Sequence, residues 1–177
     1  MIDAGHGPDT PGKRSPDGTL REFMFNGAVS NRLKEFLETD GFTVIFSHDN
    51  IRDVPLSERI LFANKEKVDA FVSIHANAYG TTWNDAYGIE TYTSLLPSDT
   101  SKKMAYCVQQ SLILRTGGKS RGVKKADFAV LLRTTMPAIL VECGFMTNLK
   151  EAKLLKSTEY QLKCAQAIYF GLLSSLK

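Results

Sequence analysis

The chain has 177 residues, which is enough for one domain with a substantial hydrophobic core. Hydrophobic residues make up 43% of it, but no apolar run approaches the ~18 residues that a membrane-spanning helix requires. The formal net charge of +3 is too small to indicate a nucleic-acid-binding protein, and the sequence contains no motif for that function. Its 3 scattered cysteines form no CxxC pair, so a disulfide framework is excluded and the fold must depend on its core.

The predicted elements alternate between strands and helices. In chain order the pattern predicts a strand at 1–4, a helix at 21–40, a strand at 42–47, a helix at 55–68, strands at 69–75 and 88–95, a helix at 98–115, strands at 127–132 and 137–145, and helices at 148–156 and 158–176. This alternation favours an α/β fold with three layers, α/β/α, in which helices cover both faces of one mostly parallel or mixed sheet of about six strands.

No linker, repeat or low-complexity segment divides the sequence, so a single domain over residues 1–177 is expected. The N-terminal "MIDAGHG" has neither the charged nor the apolar segment of a secretory signal, and no signal peptide is therefore expected in this chain. The first strand begins almost at once, which is compatible with a domain trimmed from a longer protein.

Three polar side chains lie at the ends of apolar strands or within them. His6 follows "IDAG" and His75 follows "FVSI", so both imidazoles are expected at the carboxyl ends of strands, where α/β proteins bind ligands. Glu142 lies in the apolar "LVECG", where a buried carboxylate without a partner is costly. Simpler alternatives are that His75 caps its strand and that Glu142 forms a salt bridge to an arginine or lysine, such as Arg133.

Glu22, at the start of the first predicted helix, completes a candidate metal site, although a glutamate there also suits the helix dipole. Two imidazoles and one carboxylate form the ligand set of catalytic zinc sites that hydrolyse amides. In such sites a second glutamate transfers the proton without binding the metal. The sequence has no HExxH motif, and His48 is an alternative ligand, so spacing alone does not assign the ligands.

At these residues the sequence resembles the zinc-dependent N-acetylmuramoyl-L-alanine amidases of the third amidase type, which occur in bacterial autolysins and phage endolysins. The resemblance covers nearly the whole chain, through "IDAGHG", "LREFMFN", "LSERILFANKEKVDAFVSIHAN", "GIETY" and "RGVKKADFAVLLRTTMPAILVECGFMTN" in that order. It implies one Zn²⁺ ion bound by His6, Glu22 and His75, with Glu142 as the catalytic glutamate. The implied reaction is hydrolysis of the amide that joins the lactyl group of N-acetylmuramic acid to L-alanine in peptidoglycan, at the bacterial cell wall.

The resemblance also leads to expectations about substrate and partners. Peptidoglycan is the expected partner, with no nucleic acid or membrane, and Asn77 and Arg133 are expected to contact it. Some members of the family carry an inserted helix that occludes the zinc until a partner protein displaces it. Here only "LLPSD" follows "GIETYTS" before the next helix, and a helix needs roughly ten residues to be worth forming. We therefore expect that no activator protein is required.

The sequence leaves three other functions open. A zinc carboxypeptidase-like peptidase would normally need an arginine for the substrate carboxylate, and Arg133 is the candidate. A non-catalytic wall-binding module would keep the fold but would not need Glu142. A cysteine hydrolase would use Cys143 with His75, although strand alternation is expected to turn Cys143 away from the face that Glu142 uses.

Overall fold

The computed structural model describes residues 1–49 and 51–176. In the described part, the elements are β1 (Ile2–Ala4), α1 (Glu22–Thr39), α2 (Leu56–Glu66), β2 (Phe71–Asn77), β3 (Ile89–Thr93), α3 (Asp99–Thr116), β4 (Ser120–Lys125), α4 (Ala129–Leu132), β5 (Ala138–Phe145), α5 (Leu149–Lys156) and α6 (Thr158–Leu176). None of the helices in this part of the chain combines the length and the apolar character that crossing a membrane requires.

The strands form one mixed sheet in the order β1-β2-β5-β3-β4. Strands β1, β2 and β5 run parallel, β3 is antiparallel to β5, and β4 is parallel to β3. The carboxyl ends of β1, β2 and β5 therefore meet at one edge of the sheet, and a ligand site is expected there.

Helices cover both faces of the sheet, as the sequence predicts. On one face α1, α3 and α6 bury the larger core, in which Val72, Ile74 and Val141 point from the strands towards the helices. On the other face α2 and α4 cover a smaller core around Phe71 and Leu140. Because side chains alternate along a strand, His75 and Glu142 project on this second face, the one that α2 and α4 cover. The three-layer α/β/α prediction is confirmed, with five strands instead of about six.

Two of the predicted strands are wrong. The segment 42–47 runs beside β1, where the Ile2 amide donates to Ile45 and the Ser47 amide donates to Ile2. Only one isolated bridge, between Ile2 and Phe46, results, because the next amide of β1, that of Ala4, donates to the His48 imidazole and not to a backbone carbonyl of this segment. The segment 127–132 instead contains the short helix α4, since an apolar run of this length suits a buried strand or a buried helical turn equally well.

One strand was not predicted from the sequence. Strand β4, "SRGVKK", lies at the edge of the sheet and is largely exposed, so it lacks the apolar alternation that reveals half-buried strands. Charged side chains are common on such edges because they discourage pairing with other chains. The helix predicted at 98–115 is confirmed as α3, and Ser98 caps its N-terminus by accepting a hydrogen bond from the Ser101 amide at 3.1 Å.

Candidate metal centre and catalytic cleft

His6, Glu22 and His75 converge at the carboxyl edge of the sheet. His6 Nε2 lies 3.3 Å from Glu22 Oε2, and His75 Nδ1 lies 2.9 Å from Glu22 Oε1. One ligand atom from each residue falls within 4.8 Å of the other two. Three donors this close, from the end of β1, the first turn of α1 and the end of β2, can bind a single metal ion.

The backbone around His6 is shaped to make this convergence possible. An ideal Cβ on Gly5 would lie 2.0 Å from Cε1 of His75, so only glycine lets the loop pass the imidazole. His6 itself adopts a left-handed conformation with φ of 63°, which is uncommon for a residue with a side chain. A Cβ on Gly7 would lie 2.4 Å from the Cα of Asp53. The "GHG" sequence is thus a tight turn that directs His6 back over the sheet.

A buried ion pair lies directly beneath this turn. Arg59, on α2, donates from Nη1 to Asp3 Oδ1 at 2.8 Å and to the Ala4 carbonyl at 2.6 Å. Its Nη2 donates to the His6 carbonyl at 3.0 Å. Arg59 and Asp3 are each 1% exposed, so neither charge is shared with water. The guanidinium group therefore fixes the carbonyl groups on both sides of Gly5.

The same ion pair extends to His75 through one hydroxyl group. Ser73 Oγ donates to Asp3 Oδ2 at 2.6 Å and lies 3.1 Å from His75 Nε2. Burial alone would raise the pKa of Asp3. The charge of Arg59 and the hydrogen bonds that the Asp3 carboxylate accepts outweigh burial and lower that pKa below its ordinary value. Asp3 is therefore an anion that holds both histidines in place, one through Arg59 and the other through Ser73.

The protonation states suit a divalent cation. Burial is the main cause that lowers the pKa of His6 to about 4, so its imidazole is neutral at pH 7 and has a free lone pair. Burial opposes ionisation of Glu22, but hydrogen bonding and charge from His75, then the charge of His6, lower its pKa. Burial likewise opposes a proton on His75, yet Glu22 outweighs it and raises that pKa. A cation binding here would replace this proton, so the donors present fit zinc.

Glu142 lies beside this group in a different environment. It pairs in register with His75 across β2 and β5, so both side chains occupy the same face of the sheet. Its Oε2 is buried and finds no hydrogen-bond partner within residues 1–49 and 51–176. Burial is the main cause that raises its pKa to about 8; the charge of His75 opposes this rise and that of Glu22 adds to it. The salt bridge to Arg133 considered from the sequence is not formed in the described structure.

A cleft of about 640 Å³ runs along this face. All four of these residues, His6, Glu22, His75 and Glu142, line it together with Asn77. An apolar wall is formed by residues from the loop before α2 and from the start of α4, namely Val54, Pro55, Leu56, Phe128 and Val130. A substrate lying in the cleft would therefore meet the candidate metal group and the unpaired carboxylate at the same time.

The other residues considered from the sequence lie elsewhere. Arg133 caps the C-terminal end of α4, is exposed, and is not part of the cleft lining. His48 accepts a hydrogen bond from the Ala4 amide at 3.0 Å and lies outside the candidate metal group. Cys143 is fully buried against α6, and its contact with Cys164 together with burial raises the pKa of its thiol. A protonated, inaccessible thiol is a poor nucleophile.

Sequence reasoning missed the residues that support the site. Asp3 and Arg59 are 56 positions apart, and neither belongs to a metal-binding or catalytic motif. The available signal was a charged residue inside each of two apolar patterns, "MIDA" and "RILFAN", because such residues are rarely buried unless they are paired. The sequence does not reveal that they pair with each other.

The fold and the site together define a class of protein: an α/β domain with a His–Glu–His donor group and a free carboxylate facing one cleft, as hydrolytic metal sites have. Comparison with known proteins agrees. The sequence model of the family described as N-acetylmuramoyl-L-alanine amidase (Amidase_3) matches residues 1–174. The chain therefore belongs to the N-acetylmuramoyl-L-alanine amidase family, and the family predicted from its motifs is confirmed.

Individual relatives support the same assignment. The N-acetylmuramoyl-L-alanine amidase LytC of Bacillus subtilis (strain 168) is 36% identical over 98% of this chain, which spans only 34% of the length of LytC. The crystal structure of an N-acetylmuramoyl-L-alanine amidase from Clostridium difficile 630 has a TM-score of 0.94 and 34% identity, covering 99% of this chain and 94% of that one.

A further similar structure bears on partners. The CwlD amidase from Clostridioides difficile, in complex with the GerS lipoprotein, has a TM-score of 0.89 and 32% identity, covering 99% of this chain and 96% of that one. At least one amidase of this fold thus forms a complex with another protein. This finding weighs against the expectation that no activator is needed, which for the present chain stays a prediction.

Proposed function

We propose that this chain is a single catalytic domain that hydrolyses the amide between N-acetylmuramic acid and L-alanine in peptidoglycan, with one zinc ion as its cofactor. The observation that carries the proposal is the meeting of His6, Glu22 and His75 within 4.8 Å, beside the unpaired carboxylate of Glu142. The proposed substrate follows from the family to which the chain belongs. That substrate is the polymer of the bacterial cell wall, where we propose that the domain acts.

The three donors would hold the ion, and each has a structural reason to stay in place. Glu22 is oriented by the Ala76 amide, which donates to its Oε1 at 3.2 Å. His75 is oriented by Ser73, and His6 by the turn that Arg59 fixes. When bound, zinc supplies a Lewis acid that activates water and stabilises negative charge on the amide oxygen at neutral pH.

Glu142 is proposed to move the proton. Hydrolysis adds a hydroxyl group to the carbonyl carbon and a proton to the leaving nitrogen, giving a lactyl carboxylate and a peptide with a free N-terminal alanine. A carboxylate with no competing hydrogen bond can accept the proton from water and deliver it to that nitrogen. Its raised pKa, about 8, is suited to exchanging a proton near neutral pH.

The cleft is proposed to orient the substrate. Its apolar wall, formed by Val54, Pro55 and Phe128, suits the methyl-bearing lactyl and alanyl groups on either side of the scissile amide. Asn77 lines the cleft beside the donors and remains a candidate to contact the substrate. Arg133, the other predicted contact, is not among the residues that line the cleft.

The test is digestion of purified peptidoglycan with analysis of the new chain ends, in parallel with zinc analysis of the same protein sample. An amidase releases peptides with a new N-terminal alanine, whereas a carboxypeptidase-like enzyme creates a new C-terminal residue. A wall-binding module binds the polymer and creates neither. Activity that a chelator removes and zinc restores is expected; activity that thiol alkylation removes would favour the cysteine hydrolase.

We also propose that the domain acts without an activator. Only residues 94–98 join β3 to α3, which leaves no room for an occluding helix at that point. The zinc-loaded domain should reduce the turbidity of purified cell walls by itself, although slowly in the absence of a wall-binding domain. Inactivity that a protein fraction reverses would contradict this proposal.

A further inference from the structure

A second charged cluster lies next to Glu142, on the side away from the metal group. Glu90, on β3, pairs in register with Glu142 on β5, so both carboxylates occupy the same face of the sheet. Glu90 is only 2% exposed. Its Oε1 accepts hydrogen bonds from Asn77 Nδ2 at 2.8 Å and from the Tyr92 hydroxyl at 2.7 Å. Unlike Glu142, Glu90 therefore has hydrogen-bond partners at both carboxylate oxygens.

Two cations lie beside the Glu90 carboxylate. Arg121 Nε lies 2.7 Å from Glu90 Oε2, and Lys124 Nζ contacts the same oxygen. Two cations thus share the Glu90 carboxylate, while the nearby Glu151 carboxylate accepts hydrogen bonds from two backbone amides and forms no ion pair with either cation in the described part of the chain. The side chains of Arg121 and Lys124 are 32% and 37% exposed, so both cations can reach a ligand.

Arg121 is held in place while part of it stays available. Its Nη1 donates to the Tyr87 carbonyl at 3.3 Å, and its guanidinium carbon lies 4.9 Å from the centre of the Phe145 ring. Its Nη2 makes no hydrogen bond to the described residues, although a guanidinium can donate five. A fixed guanidinium with free donors is suited to binding a carboxylate.

The cluster shares its wall with the catalytic cleft. Asn77 both lines the cleft and donates to Glu90. Phe128, which also lines the cleft, packs edge-on against Tyr92 with ring centres 5.0 Å apart. From β5, which carries Glu142, to β4, which carries the two cations, is two strand spacings, or roughly 10 Å. An extended peptide covers that distance in about three residues.

We propose that Arg121 and Lys124 form a subsite for a peptide carboxylate located two to three residues beyond the amide that is cleaved. The proposal rests on the proposed function, because the cleft then holds a cell-wall peptide that begins at the scissile bond. Glu90 positions the two cations, and their positive charge and free donors select substrates that carry a carboxylate there over substrates that carry a carboxamide.

The test compares two muramyl peptides that differ only at that position, one with a carboxylate and one with a carboxamide. The wild-type enzyme should prefer the carboxylate by roughly 10-fold or more in kcat/KM, mainly through KM, as a charge-assisted hydrogen bond implies. Arg121→Gln and Lys124→Gln should each lower this preference towards unity while kcat on the carboxamide is retained.

Lys125→Gln is the matched control. It removes the same charge from the neighbouring position of β4, but strand alternation directs that side chain to the other face, and it should retain the full preference. Equal activity of the wild type on both peptides would overturn the proposal without any variant. Equal losses on both peptides in Arg121→Gln and Lys124→Gln would also overturn it, since they would indicate a purely structural ion cluster.

Calorimetric binding of the same two peptides to the zinc-free protein separates this proposal from the proposed function. Tighter binding of the carboxylate, lost in Arg121→Gln, supports the subsite even if no hydrolysis occurs, and in that case only the amidase proposal fails. Hydrolysis of both peptides with equal binding supports the amidase proposal and rejects the subsite.

Discussion

Glu22 and Glu142 face the same cleft from opposite environments. Glu22 is buried but contacts His6, His75 and the Ala76 amide, and its pKa is lowered although burial opposes this. Glu142 has a buried oxygen without a partner in the described part of the chain, and burial raises its pKa to about 8. In the proposed mechanism the two carboxylates therefore have separate roles: Glu22 stays ionised to hold a cation, and Glu142 stays free to exchange a proton.

The largest effect should follow from removing a donor on the metal side. His75→Ala leaves Glu22 and His6 as the only donors of the group, and two donors hold zinc poorly. The variant should lose its zinc and all measurable amidase activity while retaining its secondary structure. Elemental analysis, digestion of peptidoglycan and circular dichroism check the three outcomes.

His48→Ala is the control for this change, because His48 is the remaining histidine and lies outside the donor group. It should retain zinc. Stoichiometric zinc and full activity in His75→Ala would show that the donor assignment is wrong, and loss of zinc in His48→Ala alone would move the assignment to that residue.

The next largest effect should follow from changing the other carboxylate. Glu142→Gln keeps the volume of the side chain but cannot take up a proton, so activity should fall by about 10²- to 10⁴-fold, the range for a general acid–base group. Zinc content should remain stoichiometric, in contrast with His75→Ala. A Glu142→Gln protein without zinc would identify Glu142 as a ligand, and a fully active one would remove it from the mechanism.

The third effect tests the ion pair that supports the metal side. Arg59→Met leaves Asp3 buried without its cation and leaves the Ala4 and His6 carbonyls without their donor. The free energy of unfolding should therefore fall by about 3–5 kcal/mol. Zinc affinity, measured by competition with a chromophoric chelator, should fall by roughly 10- to 100-fold, as for other supports of metal ligands.

Arg52→Met is the matched control for Arg59→Met. Arg52 also pairs with a carboxylate, Glu58, at 2.6 Å, but both side chains are about half exposed. An exposed pair is screened by solvent and contributes little, so stability and zinc affinity should change little. If Arg59→Met behaves like this control, the buried pair does not position the histidines.

The sequence predicted some features of the cleft and of the sheet and missed others. His6, His75 and Glu142 could be found because each interrupts an apolar strand pattern, and such interruptions are visible without a structure. The layers followed from the alternation of strands and helices. Strand β4 was missed because an exposed, charged edge strand has no apolar period.

The supporting pairs could not have been predicted in this way. Asp3 meets Arg59, and Glu90 meets Arg121, only because the strand order β1-β2-β5-β3-β4 and the position of α2 bring distant segments together. A single sequence shows that a charged residue is embedded in an apolar stretch. It does not show which of the 22 lysines and arginines will pair with it.

The last expected effect concerns the stability of the zinc-free protein and its dependence on pH. The pKa of Glu142 is raised from 4.5 to about 8, mainly by burial. Between these values the unfolded chain releases a proton that the folded chain keeps, so this group lowers stability as pH rises through that window. Glutamine has no such proton. Glu142→Gln should therefore melt at the same temperature as the wild type near pH 4.5.

The two melting curves should then separate as pH rises, with the variant more stable by roughly 10 °C at pH 8, since a pKa raised from 4.5 to about 8 corresponds to about 4 kcal/mol at that pH and 1 kcal/mol moves Tm by about 2–4 °C in a domain of this size. The substitution that removes activity would thus increase stability, because an unpaired carboxylate is useful to catalysis but unfavourable for folding. Glu58→Gln, at an exposed site, controls for the general effect of removing a negative charge. Parallel pH profiles for the wild type and Glu142→Gln would mean that Glu142 is ionised in the folded protein, and the contrast with Glu22 would then disappear.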